Sequence, residues 1–259
     1  MKKILIIGAG NLGSAIAKNL SKSNYSIKMV EKCNEKLKSI TVLNLPIIHN
    51  IADINLEEYT LLLCIKPHDL LSLKSEFNSE PYNLISTLAG VSTQTLTNIF
   101  PQANISRVMP NLSIVNGASD TVYMCNNLKL ASLTHDLFSL GGNPIRVHSD
   151  HEIDIATGLV GTSPAICLYI RDILADCAIK NNIPTNLALQ FANSSIKASY
   201  SLVEEEDIIS KISSKGGTTE AALIKLKEYN VNTAISSALD DTFLKCKKIN
   251  NDVAKQTNN

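Results

Sequence analysis

Gly8-Ala9-Gly10-Asn11-Leu12-Gly13 decides the fold of this chain. It follows Lys2-Lys3-Ile4-Leu5-Ile6-Ile7, a short apolar run led by two charges, and precedes Ser14-Ala15-Ile16-Ala17-Lys18-Asn19-Leu20, which has helical spacing. Strand, glycine turn and helix in that order form the G-x-G-x-x-G dinucleotide fingerprint. Gly8 permits the tight turn, Gly10 lets the backbone approach a pyrophosphate, and Gly13 lets the helix pack closely on the strand. The helix N-terminus then offers free N–H groups and a favourable dipole to the phosphates. The same spacing also serves as a purely structural turn.

Around that stretch the first half of the chain alternates strand and helix signals. Residues 26–30, 61–65, 84–88, 105–109, 121–125 and 145–147 read as strands, and 92–100 and 128–140 as helices. The continuous apolar run at 61–65 fits a central parallel strand buried on both faces. The expected fold class is α/β, an N-terminal Rossmann doubly wound sheet followed by an all-helical domain. After about Asp150 strand signals become rare. Residues 164–180, 185–202 and 219–248 carry long apolar stripes at helical spacing, with Ile166, Ile170, Ile173, Leu174 and Cys177 on one face of the first. These helices are too apolar for one small bundle, so they are expected to bury surface against a second copy. The polar tail at 250–259 is expected to fray.

A length of 259 residues accommodates two domains, read as 1–152 for dinucleotide binding and 153–259 for substrate binding and dimerisation. A formal net charge of +0 gives no reason to expect a nucleic acid or an anionic membrane as partner. No apolar stretch reaches the roughly 18 residues of a bilayer span, and no signal peptide is read. A soluble, cytoplasmic protein is expected. The six cysteines (Cys33, Cys64, Cys125, Cys167, Cys177 and Cys246) are scattered, without a C-x-x-C pair. They read as buried small apolar residues in a reducing compartment. No histidine has ligand spacing with a cysteine, so no metal is expected. His148 and His151, flanking Asp150, read as a solvated loop.

Other candidates lie at strand ends. Glu31 follows the second strand, where an acid can accept hydrogen bonds from the adenosine ribose and so favour NAD. Lys32 could instead pair with the 2′-phosphate of NADP, and a solvated Glu31–Lys32 pair is the third reading. The cofactor, NADP or NAD, stays open. Ile65-Lys66-Pro67 and Leu88-Ala89-Gly90-Val91 end two strands where ligand crevices form, and Ala89 leaves room for a nicotinamide ring. Arg107-Val108-Met109-Pro110-Asn111 ends another. Downstream, Ser213-Ser214-Lys215-Gly216-Gly217-Thr218-Thr219 stands at the mouth of a helix. Such a turn can hold a carboxylate on its backbone N–H groups, or can simply cap the helix.

Together these pieces resemble the pyrroline-5-carboxylate reductase family over nearly the whole chain. The resemblance rests on Gly8 to Gly13, Ile65-Lys66-Pro67, Ser86 to Gly90, Arg107 to Asn111, Gly161-Thr162-Ser163-Pro164-Ala165 and Ser214 to Thr219. It implies NAD(P)H-dependent reduction of 1-pyrroline-5-carboxylate to L-proline, the last step of proline biosynthesis. It further implies a helical domain that interlocks in a dimer, often assembled into a larger ring. Gly8, Gly10, Asn11, Leu12, Gly13, Glu31, Lys32, Ile65, Lys66, Pro67, Ala89 and Asn111 would border the cofactor. Ser214, Gly216, Gly217 and Thr218 would hold the substrate carboxylate, with Thr219 on the ring nitrogen as the catalytic group.

The chain departs from that pattern at several positions. Lys215 stands where the family has proline, and Asp172 where it has glutamate. Glu204-Glu205-Glu206 with Ser210 replaces a His-Pro segment, and Leu112-Ser113 follows Asn111 in place of Thr-Pro. These departures leave two rivals: a cofactor-binding paralogue without catalysis, and a β-hydroxyacid dehydrogenase-like enzyme with Lys180 as its base.

Overall fold

Alternation along the first strand, β1 (Lys3–Ile7), sets up both faces of a sheet. Ile4 and Ile6 enter one apolar cluster and Leu5 and Ile7 another, the period-two consequence of a pleated backbone. All four are essentially inaccessible, each worth about 1.5–3 kcal/mol of burial. The computed structural model describes residues 2–33, 35–36 and 41–257.

Seven more strands join β1: β2 (Ser26–Val30), β3 (Ile47–Ile48), β4 (Thr60–Leu63), β5 (Asn83–Ser86), β6 (Asn104–Met109), β7 (Ser119–Cys125) and β8 (Gly142–Arg146). Their order is β3-β2-β1-β4-β5-β6-β7-β8, and only the β6–β7 pairing is antiparallel. The chain leaves β1 in one direction and returns to its other side at β4. That switch opens a crevice beyond the carboxyl ends of β1 and β4.

Helices cover both faces. α1 (Asn11–Leu20) packs on the Ile4–Ile6 face, and α2 (Leu70–Lys74) and α3 (Thr93–Ile99) on the other. α4 (Leu128–Ser139) joins the α1 face through Leu130, Leu137 and Phe138. α5 (Asp150–Ala156) follows, then a π-helical turn at Thr157–Thr162 and α6 (Ser163–Lys180). α7 (Thr185–Ser201), the short α8 (Ile208–Ile212), α9 (Thr218–Glu228) and α10 (Val231–Thr257) complete the described chain.

Two compact units result, Met1–Gly161 with Thr242–Asn259, and Thr162–Asp241. The first holds the sheet. In the second, Ala175 of α6 and Ala188 and Ala192 of α7 are buried, small side chains that let the two helices approach closely. Leu168, Tyr169, Ile173, Leu174, Leu189 and Phe191 stay exposed on a single protomer. That is the apolar excess expected of helices awaiting a second copy.

Five expectations need correction. The stripe at 219–248 is two helices, because Asn230 takes a left-handed conformation (φ 53°) that asparagine tolerates and a helix does not. The tail does not fray at its start: 250–257 are helical and Val253 is buried, while Asn258 and Asn259 lie outside the described residues. A run long and apolar enough to cross a bilayer does exist, Asp150–Lys180, because the π-turn fuses α5 and α6. Of the cysteines only Cys125 and Cys246 are buried; Cys33 and Cys64 are partly covered, and Cys167 and Cys177 are exposed on α6. His151 lies in the first turn of α5, and the amide before that helix at His148 donates to Glu152 (2.8 Å). Among the described residues no three His, Cys, Asp or Glu side chains converge as a metal site.

Candidate active site

The three glycines of the first turn are required for three different reasons. Gly8 has φ +102°, and a Cβ there would stand 2.6 Å from the Cys64 carbonyl oxygen. A Cβ on Gly13 would stand 2.0 Å from the Gly8 carbonyl oxygen and 3.0 Å from the Cys64 Cβ, so only glycine lets α1 sit this close to β1. Gly10 is the opposite case, with nothing within 4 Å of its missing Cβ. That open space, at the N-cap of a ten-residue helix, is a cradle into which a pyrophosphate fits. The Ser14 hydroxyl donates to the Ala9 carbonyl (2.9 Å), closing the turn from inside.

Glu31 is not a solvated partner of Lys32. Its carboxylate is 9% exposed and accepts three backbone N–H bonds, from Ala9 (2.8 Å), Lys32 (2.9 Å) and Cys33 (2.8 Å). Burial pushes its pKa up, but the amides of Cys33 and Ala9, the charge of Lys36 and the Lys32 amide together hold it below the ordinary glutamate value. The acid thus staples the end of β2 to the glycine turn. The Lys32 ammonium reaches the other way, to Glu76 (2.5 Å).

A cleft of about 780 Å³ opens at these strand ends. Gly8, Gly10, Asn11, Leu12, Glu31, Lys32, Ile65, Lys66, Pro67 and Ala89 all line it. Gly13 and Asn111 are not among its lining residues. Gly13 acts behind the turn. The Asn111 side chain is occupied instead, donating to the Val160 carbonyl (3.1 Å) and accepting from the Ser113 amide (3.0 Å). Its neighbour Leu112 faces the cleft. Sequence reading missed Lys36, Asp69, Ser72, Glu76 and Thr87, which also line it. Only Thr87 carried a signal, as a small polar residue ending the strand read at 84–88. Its hydroxyl donates to the Leu63 carbonyl (2.9 Å) and fixes the loop before Ala89. Burial pushes the Cys64 thiol up to about 12, only partly offset by Thr87, so this cleft wall stays uncharged. A second hollow of about 950 Å³ lies at the opposite ends of the strands, by Lys3, Tyr59 and Asn104. It faces away from the switch point.

The hydroxyl-rich turn belongs to the second unit. Gly216 has φ +75° with open space about it, and the Gly217 N–H bonds the Ser214 carbonyl (2.9 Å). A Cβ on Gly217 would stand 2.6 Å from the Ser214 hydroxyl oxygen. Glu220 reaches back to accept the Gly216 N–H (2.6 Å), so one amide expected to serve a ligand is held by the chain itself. Ser214 and Thr218 are exposed and Thr219 is half-buried. The first turn of α9, which begins at Thr218, has backbone N–H groups that a helix leaves without internal partners. Asp172 accepts from the adjacent Arg171 guanidinium, Nε at 2.9 Å, and is exposed. Lys180 ends α6 exposed, where its charge complements the helix dipole. Nothing about it marks a base.

Sheet order, cleft and glycine turn define a nicotinamide-dependent oxidoreductase of Rossmann type, and residues 3–90 match the family described as "NADP oxidoreductase coenzyme F420-dependent". Residues 150–249 match "Pyrroline-5-carboxylate reductase dimerisation". The pyrroline-5-carboxylate reductase of Synechocystis sp. is 30% identical over 201 residues, 73% of this chain and 74% of that protein. The crystal structure of the Streptococcus pyogenes 1-pyrroline-5-carboxylate reductase superposes with a TM-score of 0.88 at 30% identity, covering 95% of this chain and 98% of that one. The chain belongs to the pyrroline-5-carboxylate reductase family. The Plasmodium falciparum pyrroline carboxylate reductase, solved with NADP bound, shares the fold at 21% identity, with a TM-score of 0.84 over 96% of this chain and 100% of that one.

Proposed function

We propose that this protein reduces the C=N bond of 1-pyrroline-5-carboxylate to give L-proline, with NADH or NADPH as reductant. The observation that carries this reading is the open cradle at Gly10, set between two glycines that tolerate no side chain, in a chain of this family. The bound nicotinamide supplies the hydride. Gly10, Asn11 and Leu12 would take the pyrophosphate at the start of α1, and Ile65 to Pro67 and Ala89 would border the rest of the cofactor.

The substrate carboxylate would be received by the N-terminus of α9 and the hydroxyls of Ser214 and Thr218. Gly216 would contribute its left-handed backbone, since its amide already bonds Glu220. The Thr219 hydroxyl would hold the ring nitrogen and relay its proton. A protonated imine is already electrophilic, so a hydroxyl suffices where a strong acid would otherwise be needed. Self-association as a dimer, or a ring of dimers, would cover the exposed faces of α6 and α7. Cytoplasmic residence completes the reading.

The test is oxidation of NADH and of NADPH by the purified protein with 1-pyrroline-5-carboxylate. Turnover is expected with at least one. A folded protein that binds cofactor and turns over neither is a non-catalytic paralogue.

A further inference from the structure

The end of α10 returns to the first unit and lies on the loop that leads from β5 into α3. Three residues of one face do this, at the i, i+4 and i+7 positions of a helical stripe. The Cys246 backbone lies against Gly90: a Cβ there would meet the Cys246 carbonyl oxygen at 2.7 Å, and Gly90 itself has φ +75°. The Asn250 carboxamide oxygen accepts from the Ser92 N–H (2.9 Å) and from the Thr95 hydroxyl (2.9 Å). Val253 is buried in the cluster that contains Leu88, Val91 and Leu96.

The neighbouring amide is held from elsewhere. Thr93 donates its N–H (3.1 Å) and its hydroxyl (3.0 Å) to Asp150, which the buried Arg107 guanidinium also pairs. At its other end the loop is fixed by the two bonds from Thr87 to the Leu63 carbonyl, 3.1 Å from the N–H and 2.9 Å from the hydroxyl. Ala89 lies between these anchors, and both it and Thr87 line the cleft. The other end of the cleft, at the glycine turn, has its own staple in Glu31 and does not touch this arrangement.

We propose that Asn250 is a positioning residue for hydride transfer: from the last helix it holds the Thr87–Val91 loop at the height where the nicotinamide end of the dinucleotide rests. The inference rests on reading the cleft as the cofactor site. Loss of the carboxamide leaves the Ser92 N–H and the Thr95 hydroxyl without that acceptor, and the loop is then free to move relative to the glycine turn. A displacement of about 1 Å at a reacting centre is enough to slow a reaction by about 100-fold.

The experiment compares Asn250→Leu, which keeps size but has no acceptor, with Asn250→Asp, which keeps the acceptor oxygen. ADP-ribose and adenosine 2′,5′-bisphosphate probe the glycine-turn end alone, and intact NAD(P)H probes both ends. Expected for N250L is a fall in kcat of about tenfold or more, with a larger primary isotope effect from 4-deuterated cofactor. Fragment affinity should stay unchanged, and N250D should recover most of the rate. An unchanged kcat in N250L overturns the proposal. So does an equal loss of fragment and cofactor binding that aspartate fails to rescue, because that marks a general loss of fold. Failure of the wild-type protein to bind any dinucleotide overturns the reading of the cleft, and the inference with it.

Discussion

The two glycine turns of this protein are built on opposite plans. The Gly8–Gly13 turn is enclosed: strand, helix and a buried glutamate hold it, and a Cβ on either Gly8 or Gly13 would collide with backbone. The turn from Ser214 to Thr219 is exposed, held by Glu220 and by its own carbonyls, on a unit whose apolar residues face outward on a single chain. The first turn is complete within one protomer. The second lies on a unit whose helices α6 and α7 leave apolar side chains exposed on a single protomer.

The sharpest break in that comparison is a methyl group placed in each turn. Gly13→Ala drives a Cβ into the Gly8 carbonyl at 2.0 Å and should cost at least ~3 kcal/mol, abolishing dinucleotide binding and lowering Tm by about 10 °C. Gly216→Ala meets only backbone strain, about 1–2 kcal/mol, and should leave dinucleotide titrations unchanged. Equal melting curves for the two variants would end the contrast.

Next in size is the outward face. Ile173→Glu puts a charge on a residue 49% exposed in the protomer. Sedimentation should show monomers that still bind cofactor but no longer turn over. Dimers that persist would place the interface elsewhere. Thr219→Val should lower kcat by about 100-fold with an unaltered thermal melt, and a wild-type rate would remove Thr219 from the mechanism.

The smallest effect belongs to Glu31. Its carboxyl titrates below the ordinary glutamate value in the folded protein, so it contributes stability that is fully present above that ordinary value. The contribution is lost as pH falls through the lowered folded value. Glu31→Gln should cost about 2 kcal/mol at pH 7 and flatten the loss of stability between neutral and acid pH. It should weaken NADH and NADPH alike, because the staple serves the turn. A loss confined to NADH would return Glu31 to the role of ribose selector.

Legibility in the sequence followed the range of the interactions. The first turn could be read because strand, glycines and helix are contiguous, and each glycine has a local reason. The bond from Glu31 to Ala9 spans the whole first βαβ step, so the residue could be singled out but not its partner. Lys36, Ser72 and Glu76 line the cleft from segments outside the fingerprint and carry no pattern of their own. The turn at Ser214–Thr219 was singled out through family resemblance; physically it is a glycine turn at the start of a helix, and the bond from Gly216 to Glu220 carried no signal. Polar composition misled at the tail, where Asn250 is a half-buried acceptor and Val253 is buried. Helical periodicity could not see the single left-handed residue, Asn230, that divides the stripe.

That the first unit takes in Thr242–Asn259 as well as Met1–Gly161 has a consequence for how the protein is made. Synthesis runs from the N-terminus, and domains made of one continuous stretch close while the ribosome is still extending them. This one cannot. Ser92 and Thr95 emerge some 150 residues ahead of Asn250, their partner. Until α10 has been made, the surface of Leu88, Val91 and Leu96 that Val253 covers in the folded unit has no cover from that helix.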